Sequence, residues 1–181
     1  MKIIGLTYIG ERAEMVLKGD SSLLNGRKPM FTPDTTNDLR ALPALILRIS
    51  RLGKHIEPRF AGRYYDAIAP GVDFVQYDRL QEAQRDGKSW TEATCFDFSM
   101  AIGAWCDPAE KPAWTIDGKA WTADAMVCTP EEAIAQASRL MTIRQGDLVY
   151  ISAQSTPAPL RREQVICATV GEQEKLYCKI K

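Results

Sequence analysis

The chain has 181 residues, 45% of them hydrophobic, and its 23 Lys and Arg balance 23 Asp and Glu to a formal net charge of zero. That length fits one domain with a sizeable core, and the balanced charge leaves no electrostatic footprint for nucleic acid. The longest apolar run, residues 42–47, is far too short to cross a bilayer.

The N-terminus (MKIIGL) carries one positive charge before a run that soon turns polar, and reads as a first strand rather than a signal peptide. Residues 18–37 are rich in Gly, Ser, Asn, Asp and Pro and read as a loop. Residues 42–50 (LPALILRIS) fit a strand buried on both faces, with a turn at Gly53-Lys54. Phe60, Tyr64 and Ile68 stand four apart, which predicts a short helix within residues 57–68 that ends before Pro70. A strand at residues 72–75 and a helix at 79–85 follow, the helix stopped by Asp86-Gly87. Thr129-Pro130-Glu131-Glu132 joins an N-cap Thr, a first-turn Pro and a third-position Glu in a capping box. The helix it starts runs to about Met141 and buries Ala133, Ile134, Ala137 and Leu140. Gln145-Gly146-Asp147 makes a turn into a strand at residues 148–152, and residues 164–170 and 175–180 form a C-terminal hairpin. Many strands with few helices point to a β-rich α+β domain. Five widely spaced cysteines (Cys95, Cys106, Cys128, Cys167, Cys178) form no CxxC pair, which argues against a disulfide framework and for a reducing, cytoplasmic setting.

Seven segments in order resemble the fumarylacetoacetate hydrolase family. Arg27-Lys28-Pro29-Met30-Phe31 is similar to the family's KPxxF segment, and residues 48–56 (RISRLGKHI) to the strand and GK turn after its metal-binding carboxylates. Residues 64–74 (YYDAIAPGVDF) look like its glycine and aspartate-bearing strand, and Trp90 with Phe96-Asp97 like its W…KxFD stretch. Ile116-Asp117-Gly118-Lys119 resembles its NG hairpin, residues 129–141 the following helix, and residues 142–148 (TIRQGDL) the TLxxGD turn. The resemblance spans residues 27–149. It implies a mixed β-sandwich roll of the fumarylacetoacetase C-terminal-domain type with small peripheral helices, one domain over residues 1–181, and a homodimer. Residues 18–37 would be a loop or shortened lid.

Members of that family hold an oxo-acid substrate on Mg²⁺ or Mn²⁺, which need oxygen ligands. Their two glutamates, at alternate strand positions and so on one face, fall here on Leu42 and Ala44. The third ligand matches Asp73. The family's lysine falls on Thr94, and its ARD arginine and aspartate on Tyr77 and Asp78. Its TGTP loop is replaced by Ile151-Ser152-Ala153-Gln154. No acidic residue lies between Asp38 and Glu57, so a small slip in register restores nothing. The resemblance therefore implies a non-catalytic or altered homologue without catalytic residues, metal or other cofactor. Its partner would be a second copy, a small oxo acid or another protein, with no membrane or nucleic acid. The alternative is a hydrolase, decarboxylase or isomerase of oxo acids working through a site rebuilt around Asp73, with Asp97 or Asp124 beside it and Mg²⁺ or Mn²⁺ bound.

Plainer roles stand beside these. Asp73 suits a strand-end acceptor of backbone N–H bonds, Asp78 a helix N-cap, and His55, the only histidine, an exposed turn. Cys95 reads as a buried inert thiol. Trp90, Trp105, Trp114 and Trp121 read as core or interface residues, and Ser152, Ser155 and Thr156 as a loop without a nucleophile elbow.

Overall fold

The structure, a computed structural model, describes residues 1–9, 12–155 and 158–181. In chain order, β1 (Ile3–Ile9), β2 (Arg12–Lys18) and β3 (Leu23–Asn25) lead to β4 (Leu39–Ile49), the one-turn α1 (Pro58–Ala61) and β5 (Tyr65–Gln76). The helices α2 (Tyr77–Asp86) and α3 (Thr91–Thr94) precede β6 (Met100–Ile102), β7 (Ala113–Ile116) and β8 (Lys119–Thr122). The chain closes with α4 (Pro130–Leu140), β9 (Leu148–Ser152), β10 (Val165–Val170) and β11 (Gln173–Lys179). A seven-stranded mixed sheet runs β2-β1-β9-β4-β5-β6-β3, and a four-stranded sheet runs β11-β10-β7-β8.

The central pair β4–β5 explains the largest departure from the sequence reading. It stays in register from Leu39 opposite Gln76 to Ile49 opposite Tyr65, broken only by a shift between Arg48 and Ile49. Tyr65 and Ile68 are therefore in a strand, and helix survives only at Pro58–Ala61. A four-residue spacing of apolar side chains carries little weight against a cross-strand ladder of this length. Residues 18–37 depart as well: Lys18 ends β2, and β3 adds a parallel edge strand against β6.

Strand alternation sorts the apolar residues onto two faces of the large sheet. Leu39, Ala41, Leu45, Leu47 and Ile49 of β4 enter the core shared with Trp114 and Ile116 of β7, Ile166 and Ala168 of β10, and Ala133, Ile134 and Ala137 of α4. Leu42, Ala44 and Ile46 point the other way. They join Ile3, Ile9, Val16, Ala69, Val75, Met100 and Tyr150 under Leu80 of α2 and Ala93 of α3.

The local signals at α4 hold. Thr129 Oγ1 accepts the Glu132 amide at 3.2 Å, and Glu132 Oε2 accepts the Thr129 amide at 2.9 Å. Leu140, expected inside, is exposed. The turn between β7 and β8 places both Asp117 (φ 51°) and Gly118 (φ 74°) in the left-handed region, as a two-residue hairpin loop requires. None of the described helices is long and apolar enough to cross a membrane.

Candidate functional site

Asp73 sits three residues before the end of β5, directly opposite Leu42 on β4, so both side chains lie on the sheet face covered by α2 and α3. Ala44 is two residues on, opposite Gly71 of β5 and Ser152 of β9. The three positions expected from the sequence to match the family's metal ligands thus converge on one face. Two of them supply only hydrocarbon.

A polar cluster fills the space. Thr7 of β1 donates its hydroxyl to Asp73 Oδ2 at 2.6 Å, and the Tyr150 hydroxyl of β9 donates to the same oxygen at 3.2 Å. Asp73 Oδ1 faces Lys18 Nζ at 3.0 Å, with side chains 1% and 0% exposed. That contact is ionic; its angles miss a hydrogen bond. The ammonium donates to Ser99 Oγ at 3.0 Å, to the Ser99 carbonyl at 3.3 Å and to the Thr94 carbonyl. The Phe96 ring lies 5.9 Å from it. Burial first, and the Asp73 charge second, push the Tyr150 phenol well above its ordinary value, so it stays a proton donor. Its ring lies across Gly5, where a Cβ would stand 2.0 Å from Cζ; only glycine lets β1 pass beneath it.

Next to this cluster, the Arg40 guanidinium stacks on the Tyr77 ring at 3.6 Å and forms a two-pronged pair with Asp38, both bonds at 2.8 Å. Asp78 is not the N-cap of α2; that position is Gln76. Asp78 accepts from the Thr36 hydroxyl at 2.5 Å, the Asn37 amide at 3.0 Å and the Arg79 amide at 2.9 Å, tying the approach to β4 against α2. Burial would raise its carboxyl, but these donors prevail and hold it below the ordinary value. In the GD turn, Asp147 accepts from the Lys2 amide and ammonium and from the Arg144 amide, at 2.9, 2.6 and 2.9 Å.

Other expected residues fall outside the cluster. Asp97 and Asp124 are exposed, so neither reinforces the buried Asp73. Asp73 accepts two side-chain hydroxyls and pairs ionically with an ammonium, rather than accepting backbone amides. Cys95 is half-buried rather than buried, and His55 is exposed with φ 52°. Trp114 is core, its Nε1–H donating to the Gly71 carbonyl at 2.9 Å, while Trp90 packs against the covered face. Ser152 belongs to β9 and its hydroxyl accepts the Tyr8 amide at 2.8 Å; Ser155 is in a loop, and Thr156 lies outside the described residues.

Lys18, Thr7, Arg40 and Tyr150 were invisible in the sequence. The stretch Glu14-Met15-Val16-Leu17-Lys18 reads as a strand with either parity, and its apolar residues favour Leu17 inward. Instead Val16 and Lys18 are buried and Leu17 is 46% exposed.

The cluster does not fit a divalent cation. Leu42 and Ala44 offer no donor, Asp73 is already engaged, and the described residues contain no group of three His, Cys, Asp or Glu able to hold one.

A large mixed sheet backed by a smaller antiparallel one, with a single carboxylate at the centre of its covered face, defines the class: a β-rich α+β roll whose site lies between sheet and peripheral helices. The chain belongs to the fumarylacetoacetate hydrolase family, for the model described as Fumarylacetoacetate (FAA) hydrolase C-terminal matches residues 8–153. It is 26% identical over 168 residues to the mitochondrial oxaloacetate decarboxylase of Dictyostelium discoideum, covering 86% of this chain and 77% of that one. The fold also matches fumarylpyruvate hydrolase from Pseudomonas aeruginosa in complex with Mn²⁺ and pyruvate (TM-score 0.82, 18% identity, 99% of this chain, 88% of that one). A third likeness is to 5-carboxymethyl-2-hydroxymuconate delta-isomerase from Mycobacterium smegmatis (TM-score 0.81, 17% identity, 99% of this chain, 78% of that one).

Proposed function

We propose that the protein is an enzyme acting on small oxo acids such as oxaloacetate, the substrate in the name of the decarboxylase it resembles, through a site rebuilt around Asp73. One observation carries this reading. The two cations whose family positions fall on Thr94 and Tyr77 return from other strands: the Lys18 ammonium reaches the Thr94 carbonyl, and the Arg40 guanidinium covers the Tyr77 ring. Arg40, with 17% of its side chain exposed, is the group a substrate carboxylate can reach, and its planar fork suits one. Tyr150, kept protonated, and Lys18 already donate to Asp73, Thr94 and Ser99, and would donate toward an oxo group only by exchanging those partners. A surface groove of about 570 Å³ between α2 and α3, lined by Arg79, Glu82 and Ala93, touches none of the cluster's side chains, so a substrate would reach them only by displacing α3.

The test is turnover of oxaloacetate and acylpyruvates in the presence of a chelator. Arg40→Ala should raise KM about 10- to 100-fold, the worth of a charged hydrogen bond. No turnover of either class, with no rise in melting temperature on adding oxalate or pyruvate, sinks the reading. A second reading, a non-catalytic homologue, is favoured by the sealing of Lys18 and Asp73. Under it the fold persists as a binding or partner module and Arg40→Ala changes only stability. The family resemblance also leads us to propose a homodimer, which light scattering tests.

A further inference from the structure

We propose that the Lys18 ammonium is a built-in replacement for a divalent cation, so that the chain carries its own positive charge at the centre of the covered face. This goes beyond the oxo-acid reading and stands whether or not an oxo acid is turned over.

A lysine ending an edge hairpin strand would ordinarily run its stem along the surface and leave its charge in water. Lys18 does the reverse: its side chain is 0% exposed. Burial of an ammonium is tolerated only with a counter-charge and full hydrogen bonding. The protein supplies both, through the Asp73 carboxylate, the Thr94 and Ser99 carbonyls and the Ser99 hydroxyl. This all-oxygen cradle is the donor set a hard cation takes.

Charge balance selects the occupant. With Leu42 and Ala44 beside it, Asp73 is, among the described residues, the one carboxylate in contact with this cradle; Glu14, opposite Thr7 on the same face, is a quarter exposed and paired with Arg12. A divalent ion there would leave one positive charge uncompensated in an apolar surround, whereas an ammonium leaves none. Space selects it too. A divalent ion bound to Asp73 Oδ1 would sit roughly 2.0–2.6 Å from that oxygen, and Nζ already stands 3.0 Å away. A divalent ion drawn to the same Thr94 and Ser99 oxygens would have to stand where Nζ does, so within this cradle the two are mutually exclusive, and Leu42 and Ala44 complement Lys18.

The test combines binding and melting, not turnover. For the wild-type chain, the free Mn²⁺ signal in electron paramagnetic resonance should show no saturable site at millimolar metal, and neither Mn²⁺ nor Mg²⁺ should move the melting temperature. Lys18→Ala empties the cradle and leaves Asp73 without its cation. Its melting temperature should fall, then recover by about 3 °C or more on adding millimolar n-butylammonium, which binds the native state only, and by less on adding Mn²⁺, whose second charge Asp73 leaves uncompensated. Recovery should vanish in Lys18→Ala/Asp73→Asn. A saturable wild-type Mn²⁺ site overturns the proposal, as does a folded Lys18→Ala that responds to neither cation. If Lys18→Ala does not fold, its recovery by either cation supports the proposal. If neither recovers it, the wild-type Mn²⁺ titration alone decides.

Discussion

Breaking the Lys18–Asp73 pair from one side should be far more damaging than dissolving it. Lys18→Met replaces the ammonium with an apolar chain of similar length and leaves the Asp73 carboxylate 1% exposed with only the Thr7 and Tyr150 hydroxyls as donors. Asp73→Asn leaves the ammonium in its cradle without a counter-charge. Each single change strands a buried charge, at a cost of about 3 kcal/mol or more. In Lys18→Met/Asp73→Asn both charges are gone, and the carboxamide oxygen introduced at position 73 can accept the same two hydroxyls. A coupling of about 3 kcal/mol then offsets half of the roughly 6 kcal/mol that two independent losses of that size would give. The double variant should be no less stable than either single one. Total stabilities run to about 5–15 kcal/mol, so the singles should lose a large share of theirs, read as a shift in urea midpoint at unchanged slope. Additive losses, or singles below about 1 kcal/mol, the usual size of an exposed pair, would refute the claim that this pair is a desolvated unit.

Three further outcomes are expected. Gly5→Ala drives a Cβ to 2.0 Å from Tyr150 Cζ and 2.4 Å from its hydroxyl; it should cost about 1–3 kcal/mol and change the near-ultraviolet circular dichroism, and an unchanged spectrum would count against the packing described. Thr129→Ala removes one half of the α4 capping box and should cost about 1 kcal/mol by denaturation. Asp147 is held below its ordinary value of 3.8, since the Lys2 and Arg144 donors outweigh the burial that would raise it. A depressed carboxyl contributes stability above its unfolded value and loses it as pH falls from about 4 through the lower folded one. Asp147→Asn should therefore flatten the acid limb of the stability curve and leave a constant loss near neutral pH; an acid limb identical to wild type removes Asp147 from the account.

Where local chemistry decides, the one-dimensional pattern was enough. The capping box at Thr129–Glu132, the left-handed Asp117-Gly118 turn and the Gly146-Asp147 turn each fix their backbone through neighbours within a few residues. The family likeness belongs with them, because motif order along the chain survives even where individual residues have changed. So does the absence of acidic side chains at 42 and 44, which needs no coordinates to read. The short helix expected within residues 57–68 is present only as Pro58–Ala61, and its extension failed for a non-local reason: β4 gives residues from Tyr65 onward a strand partner that sequence spacing does not show.

The covered face was decided only by tertiary structure. Lys18 and Asp73 are 55 residues apart, and Thr7 and Tyr150 still further, at 66 and 77 residues from Asp73. Nothing in their own neighbourhoods marks them as partners. Whether Lys18 points to water or to Asp73 depends on the parity of β2, which its mixed apolar and charged residues leave open and which pairing with β1, Ile3 opposite Lys18, settles. Thus the sequence alone determined that positions 42 and 44 carry no carboxylate, while only the packed sheet determined that Lys18 is buried against Asp73.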